Sequence, residues 1–200
     1  MVPTVTQQLE AMRRRFAETI IPALPQDADF AQEQAKLMLA TFDWLLDTHE
    51  HQYRYVVVEN NLYRRLLAEL AALGGRGLPE PLCADVRACL AEPGPAAEEA
   101  STPLPRLEDQ NRRIKQLAMT MAGALQDGAD AGAARALVAE CAHAQGKREL
   151  AFFRKTGFPG DEHDLLSELD PVTSTAKADC AVRHQSDHGH GGIGGTQGKL

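Results

Sequence analysis

FAQEQAKLMLATFDWLLDTHEHQYRYVVVENNLYRRLLAELAAL, Phe30 to Leu73, runs for more than forty residues with no proline or glycine. Stepping three and four residues at a time from Phe30 gives Gln34, Leu37, Thr41, Trp44, Thr48, His51, Tyr55, Val58, Leu62 and Leu66, a near-continuous heptad seam. An unbroken helix over residues 28–73 would be about 68 Å long at about 1.5 Å per residue, far beyond the usual three or four turns. A kink is expected near 47–52, where Asp47, Thr48, His49 and His51 lower helix propensity ahead of the β-branched run Val56-Val57-Val58. A strand there is disfavoured, because turn signals are missing and helical spacing resumes at Leu62, Leu66, Leu70 and Leu73.

Outward from this stretch the chain reads as an all-α antiparallel bundle of about four main helices. Thr4 or Thr6 can cap a first helix reaching about Ile21, with Val5, Leu9, Met12, Phe16 and Ile20 on one stripe. Pro22 and Pro25 end it, and Asp27 and Asp29 suit the positive start of the next. Gly74-Gly75-Arg76-Gly77 closes the long helix, and a short one follows from about Pro81 to Leu90. Residues 92–105 hold five prolines and glycines and read as a linker between two helical hairpins. Beyond it lie a helix from Leu107 to about Gln126, with Leu107, Ile114, Leu117 and Met121 or Leu125 on its apolar side, and one from about Ala131 to Lys155 that carries Leu137, Val138, Cys141, Leu150, Phe152 and Phe153, then a docking turn with Leu165, Leu166 and Leu169. The bundle is expected over 1–170. Residues 171–200 lose apolar content, carry six glycines between Gly189 and Gly198, and are expected to be disordered.

Composition narrows the function classes. With 44% apolar and 24% charged residues the chain can bury a core, while a net charge of -7 and a pI near 5.5 argue against nucleic acid or an anionic membrane as partner. The run Arg13-Arg14-Arg15 shares its helix with Glu10 and Glu18 and reads as a solvated face. No secretory signal or membrane span is recognisable, and Cys83, Cys89, Cys141 and Cys180 form no CxxC pair, so reduced thiols in a cytoplasmic setting are expected.

Several residue groups could carry chemistry. Asp43, Asp47 and His51 stand at i, i+4 and i+8, and Glu140 and His143 form an ExxH on the last long helix. Carboxylate and imidazole at such spacing can ligate a divalent metal, so Asp47, His51, Glu140 and His143 are the metal candidates. Di-iron bundles need two ExxH pairs and two further glutamates; with one ExxH, a polar layer that sets helix register is the simpler reading. Glu59, Asn60 and Arg64 form a second group. Glu59 pairing with Arg64 on the surface and Asn60 tying its helix to a neighbour are the structural readings, ligand contact the functional one. Arg148 and Arg154, beside Phe152-Phe153, either complement the helix dipole or receive a phosphate or acidic surface. His184, His188 and His190 in the glycine-rich tail could capture Ni, Cu or Zn. The terminal GGTQGKL lacks the first glycine, the Ser or Thr and the following helix of a phosphate loop. No serine sits in a nucleophile elbow.

IIPALPQDADFAQEQAKLMLATFDWLL, VVVENNLYRRLLAEL, NRRIKQLAMTMAGAL and KRELAFFRK together resemble small all-helical bacterial proteins of unassigned function, over roughly residues 5–155. Those proteins often occur with aminoglycoside-phosphotransferase-like kinases that act on hydroxyacyl-CoA and with acyl-CoA dehydrogenases. The resemblance implies an accessory or partner subunit. The leading expectation is thus a non-catalytic helical protein, needing no cofactor, that binds a partner protein or a second copy through the long helix. The alternatives are a metal-dependent or small-molecule-binding enzyme using Asp47, His51, Glu140 and His143, and a metal binder working through its tail histidines.

Overall fold

The computed structural model describes residues 2–74, 78–95, 102–156 and 164–170. These residues form helices and connecting turns, with no strand among them. Helix α1 spans Val5–Arg15, α2 Asp29–Thr48, α3 Gln52–Leu73, α4 Glu80–Ala91, α5 Leu104–Ala124 and α6 Ala131–Phe152, with a single turn, α7, at Leu165–Glu168. The expected tail, with His184, His188 and His190, and the middle of the 92–105 linker lie outside the described residues.

Of the two candidate caps, Thr4 starts α1: its hydroxyl accepts from the Gln7 N–H at 3.2 Å while the Gln7 side chain accepts from the Thr4 N–H at 3.0 Å. This reciprocal box satisfies two donors that a helix start leaves unpaired. After Arg15 the chain widens into a π-turn at Phe16–Ile20 and tightens into a 3-10 turn at Ile21–Ala23, with Pro22 inside it.

The long helix breaks where expected. A 3-10 turn at His49–His51 separates α2 from α3, flanked by Thr48 at φ -117° and His51 at φ -100°. Local side chains compete with the helical ladder here. The Thr48 hydroxyl donates to the Trp44 carbonyl at 2.8 Å, and His49 Nδ1 lies 2.9 Å from the Leu45 carbonyl. Such i to i-4 contacts bend helices and favour a tighter turn.

Because phase is not carried across a differently wound turn, the heptad seam is not one stripe. In α3 the buried residues are Val56, Val57, Glu59, Asn60, Leu66, Leu67 and Leu70, whereas Tyr55, Val58 and Leu62 of the expected seam are half-buried. In α2 the correction is larger. Phe30 is 74% and Leu37 56% exposed, and only Ala35 and Thr48 are buried.

The core lies elsewhere. α3 packs most extensively on α5 and then on α6, with α4 touching both α3 and α5. Leu66, Leu67, Leu70, Val86, Cys89, Ile114, Ala118 and Met121 fill this centre. Along α5 and its C-terminal cap, Leu107, Ile114, Met121 and Leu125 are buried, while Leu117 of the expected apolar side is half-buried. Of the apolar residues on α6, Cys141 and Phe152 are buried and Leu137 and Val138 half-buried, but Leu150 and, just past the helix end, Phe153 are exposed. Leu165 and Leu169 dock against Ala151 and Phe152. α1 packs mainly on α2, and α2 meets the turn Arg154–Thr156. That junction is aromatic: Trp44 stacks on Phe153 at 5.4 Å and donates Nε1–H to the Phe152 carbonyl at 3.0 Å, satisfying an acceptor at the end of α6.

Candidate functional site

Where the heptad positions of α3, α5 and α6 meet, three of them are polar. Asn60 on α3, Asn111 on α5 and Gln145 on α6 occupy core-facing steps, with Arg148 one turn beyond Gln145. Asn60 is 0% exposed, Asn111 2% and Arg148 4%. Buried polar groups on this scale require partners.

The partners form one network. Asn60 Nδ2 donates to Asn111 Oδ1 at 2.6 Å and to Gln110 Oε1 at 3.1 Å. Asn111 Nδ2 donates in turn to Glu59 Oε2 and to the Val56 carbonyl, both at 2.9 Å. Glu59 Oε1 accepts from Lys115 Nζ at 2.6 Å and from Gln145 Nε2 at 3.1 Å. Gln145 also reaches the Tyr55 hydroxyl at 2.9 Å, and its Oε1 accepts from Arg148 Nη1 at 2.9 Å. Glu59 is therefore the hub, and both its oxygens are occupied. Its three hydrogen bonds, from Asn111, Gln145 and Lys115, fasten α3 to both α5 and α6.

Burial pushes the Tyr55 hydroxyl well above its usual range, with Glu59 and Glu149 adding to the effect. Burial likewise pushes Tyr63 up to about 12. The Cys141 thiol is raised by burial against the opposing pull of Arg148, and Cys89 is raised by burial too. Neither thiol is poised as a thiolate nucleophile.

Beside the network, between α3, α6 and α7, lies a cleft of about 290 Å³. Leu62, Leu66, Leu137, Glu140, His143 and Arg148 are among its walls. So the ExxH residues Glu140 and His143 share this cleft with Arg148, but Asp47 and His51 do not reach it. Asp47 Oδ1 instead accepts from Arg154 Nη2 at 2.8 Å, a largely buried ion pair that joins α2 to the turn after α6. His51 sits half-buried on the 3-10 turn. Among the described residues no three His, Cys, Asp or Glu side chains are grouped as a metal would need.

Other expected pairings are redrawn. Arg64 does not pair with Glu59; it donates to the carbonyls of Leu90 at 2.8 Å and Glu92 at 2.5 Å, capping the C-terminus of α4. Glu59, expected on the surface, is buried and paired with Lys115. Asp43, in the row with Asp47 and His51, accepts from Arg13 Nε at 2.6 Å, so one of the three arginines thought to be solvated ties α1 to α2. Asn60 does tie its helix to a neighbour. His49 links the α2–α3 break to α1: its Nδ1 lies 2.9 Å from the Leu45 carbonyl and its Nε2 3.0 Å from the Thr6 hydroxyl.

Asn111, Lys115 and Gln145 were not singled out from sequence. For Asn111 and Gln145 the signal is there in the heptad steps Leu107, Asn111, Ile114, Ala118 and Cys141, Gln145, Arg148, Phe152, each with polar residues at inward positions, while Lys115 lies off these steps. No protein family, curated protein or solved structure matches the chain.

Proposed function

We propose that this chain is a non-catalytic helical protein that binds a second protein chain through its N-terminal helix pair. The supporting observation is the α2 stripe: Phe30, Leu37 and Met38, at i, i+7 and i+8, are all exposed. Val5 and Met12 of α1 are exposed as well. Single exposed apolar side chains are ordinary, but a stripe at helical spacing on one face is how a helix presents itself to a partner. Burying one such side chain fully is worth about 1.5–3 kcal/mol, so the stripe contributes to a contact in proportion to the area still exposed. The Glu59 network adds support, because it ties α3, α5 and α6 into one body behind that stripe.

The narrower identity, an accessory subunit of an acyl-CoA or phosphotransferase system, rests on the resemblance over residues 5–155. Purification from the native host with light scattering tests both levels. The expected result is a dimer or a stoichiometric complex that Leu37→Asp disperses while helix content stays unchanged. A co-purifying kinase or acyl-CoA dehydrogenase would support the narrower identity. A monodisperse monomer with no co-purifying protein overturns the reading.

A further inference from the structure

Arg148 is the cation of the buried network with donors to spare. A guanidinium carries five N–H donors. Among the described residues this one spends a single donor on Gln145 Oε1 and makes no ion pair. The nearest acids do not answer it. Both oxygens of Glu59 are taken by Lys115, Gln145 and Asn111, and Glu168 acts on Arg148 only at longer range. Burial lowers the Arg148 pKa, against the opposing influence of Tyr55, Cys141, Glu168 and Glu59. A buried cation without a bonded anion is costly, and that cost is relieved when an anion of matching geometry enters.

Arg148 lines the cleft between α3, α6 and α7. We infer that this cleft binds a small monoanionic carboxylate with a short apolar chain, its carboxylate held by Arg148 and its chain lying on Leu62, Leu66 and Leu137. Three features select that class. The planar guanidinium fork matches a carboxylate edge-on. The remaining charged walls are mixed: Arg65 is paired with Glu69 at 2.9 Å, and Lys147 shares the lining with Glu140 and Glu168, so the cleft holds no surplus of positive charge for a dianion such as phosphate. At about 290 Å³ the volume falls at the low end for small-molecule sites, near the lower bound of about 300 Å³.

The test is calorimetric titration of the full chain with sodium hexanoate, hexanol and inorganic phosphate. Hexanoate is expected to bind saturably and the other two at least tenfold more weakly. Arg148→Met should weaken hexanoate at least about tenfold, the effect of losing a charge-assisted bidentate contact. Arg148→Lys, which keeps the charge but loses the fork, should fall between. Glu168→Gln, removing an acid beside the cleft, should tighten binding. If Arg148→Met does not fold, the Arg148 Nε–H resonance of the unaltered chain serves instead, and it must move on titration with hexanoate. Absence of saturable hexanoate binding, equal affinity for hexanol, tighter binding of phosphate, indifference to Arg148→Met, or a static Arg148 resonance each overturns the proposal. The site is independent of the partner surface: Leu37→Asp should leave hexanoate affinity unchanged, so failure of one reading is distinguishable from failure of the other.

Discussion

Asn111 donates both amide hydrogens, to Glu59 Oε2 and to the Val56 carbonyl, and accepts from Asn60. Asn111→Ala leaves three buried groups short of a partner, so it is expected to destabilise the protein by about 2–4 kcal/mol, read from the urea midpoint. A loss below about 0.5 kcal/mol would mean the network is not held as described. Tyr63 offers a pH test. Its hydroxyl is raised by burial from 10.0 to about 12, so the folded state favours the neutral phenol. That contribution is complete below pH 10 and is lost as pH rises toward 12. Stability should fall across this alkaline window, and Tyr63→Phe should flatten the fall when midpoints are compared.

At the scale of elements, the join between α2 and α6 rests on Trp44 and on the Asp47–Arg154 pair. Asp47 is mostly buried, and its second oxygen, Oδ2, has no hydrogen-bond partner among the described residues. Removing Arg154 therefore strands a carboxylate, at a cost of about 2 kcal/mol for a pair of this burial. Trp44 is the single tryptophan and sits at this join. In Arg154→Gln its emission should shift to the red at lower urea than the loss of helical circular dichroism. Coincident transitions would show that α2 docks by its aromatic contacts alone.

For the molecule as a whole, stability is unevenly spread. The α3, α5 and α6 body holds most of the core, whereas α1 contributes Leu9 and α2 Ala35 and Thr48 to the buried set. Segments with few buried contacts open most readily. Native-state amide exchange should be faster through Val5–Asp43 than through Leu66–Leu70 or Ile114–Met121, by an order of magnitude or more, and binding of a partner along α2 should slow it. Equal protection would imply that the helix pair is covered in the isolated chain.

The helices, the break near Thr48, the docking turn at Leu165 and the inward face of α5 could all be read from the chain, because they follow from local spacing, propensity and punctuation. Asn60 as a tie between helices was legible for the same reason, being an amide at a seam. What only tertiary packing decided was which apolar stripe is covered. Phe30 and Leu37 sit in as good a register as Leu66, yet they stay largely exposed among the described residues while α3, past the 3-10 turn, buries Leu66. Tertiary packing also decided where the charges go: Glu59 took Lys115 from α5, Asp47 took Arg154, Arg64 took the end of α4, and Arg148 was left facing a cleft. Periodicity records that a side chain is polar. Whether it is hub, cap or unmatched cation depends on which helix is folded against it, and that is a property of long-range contacts.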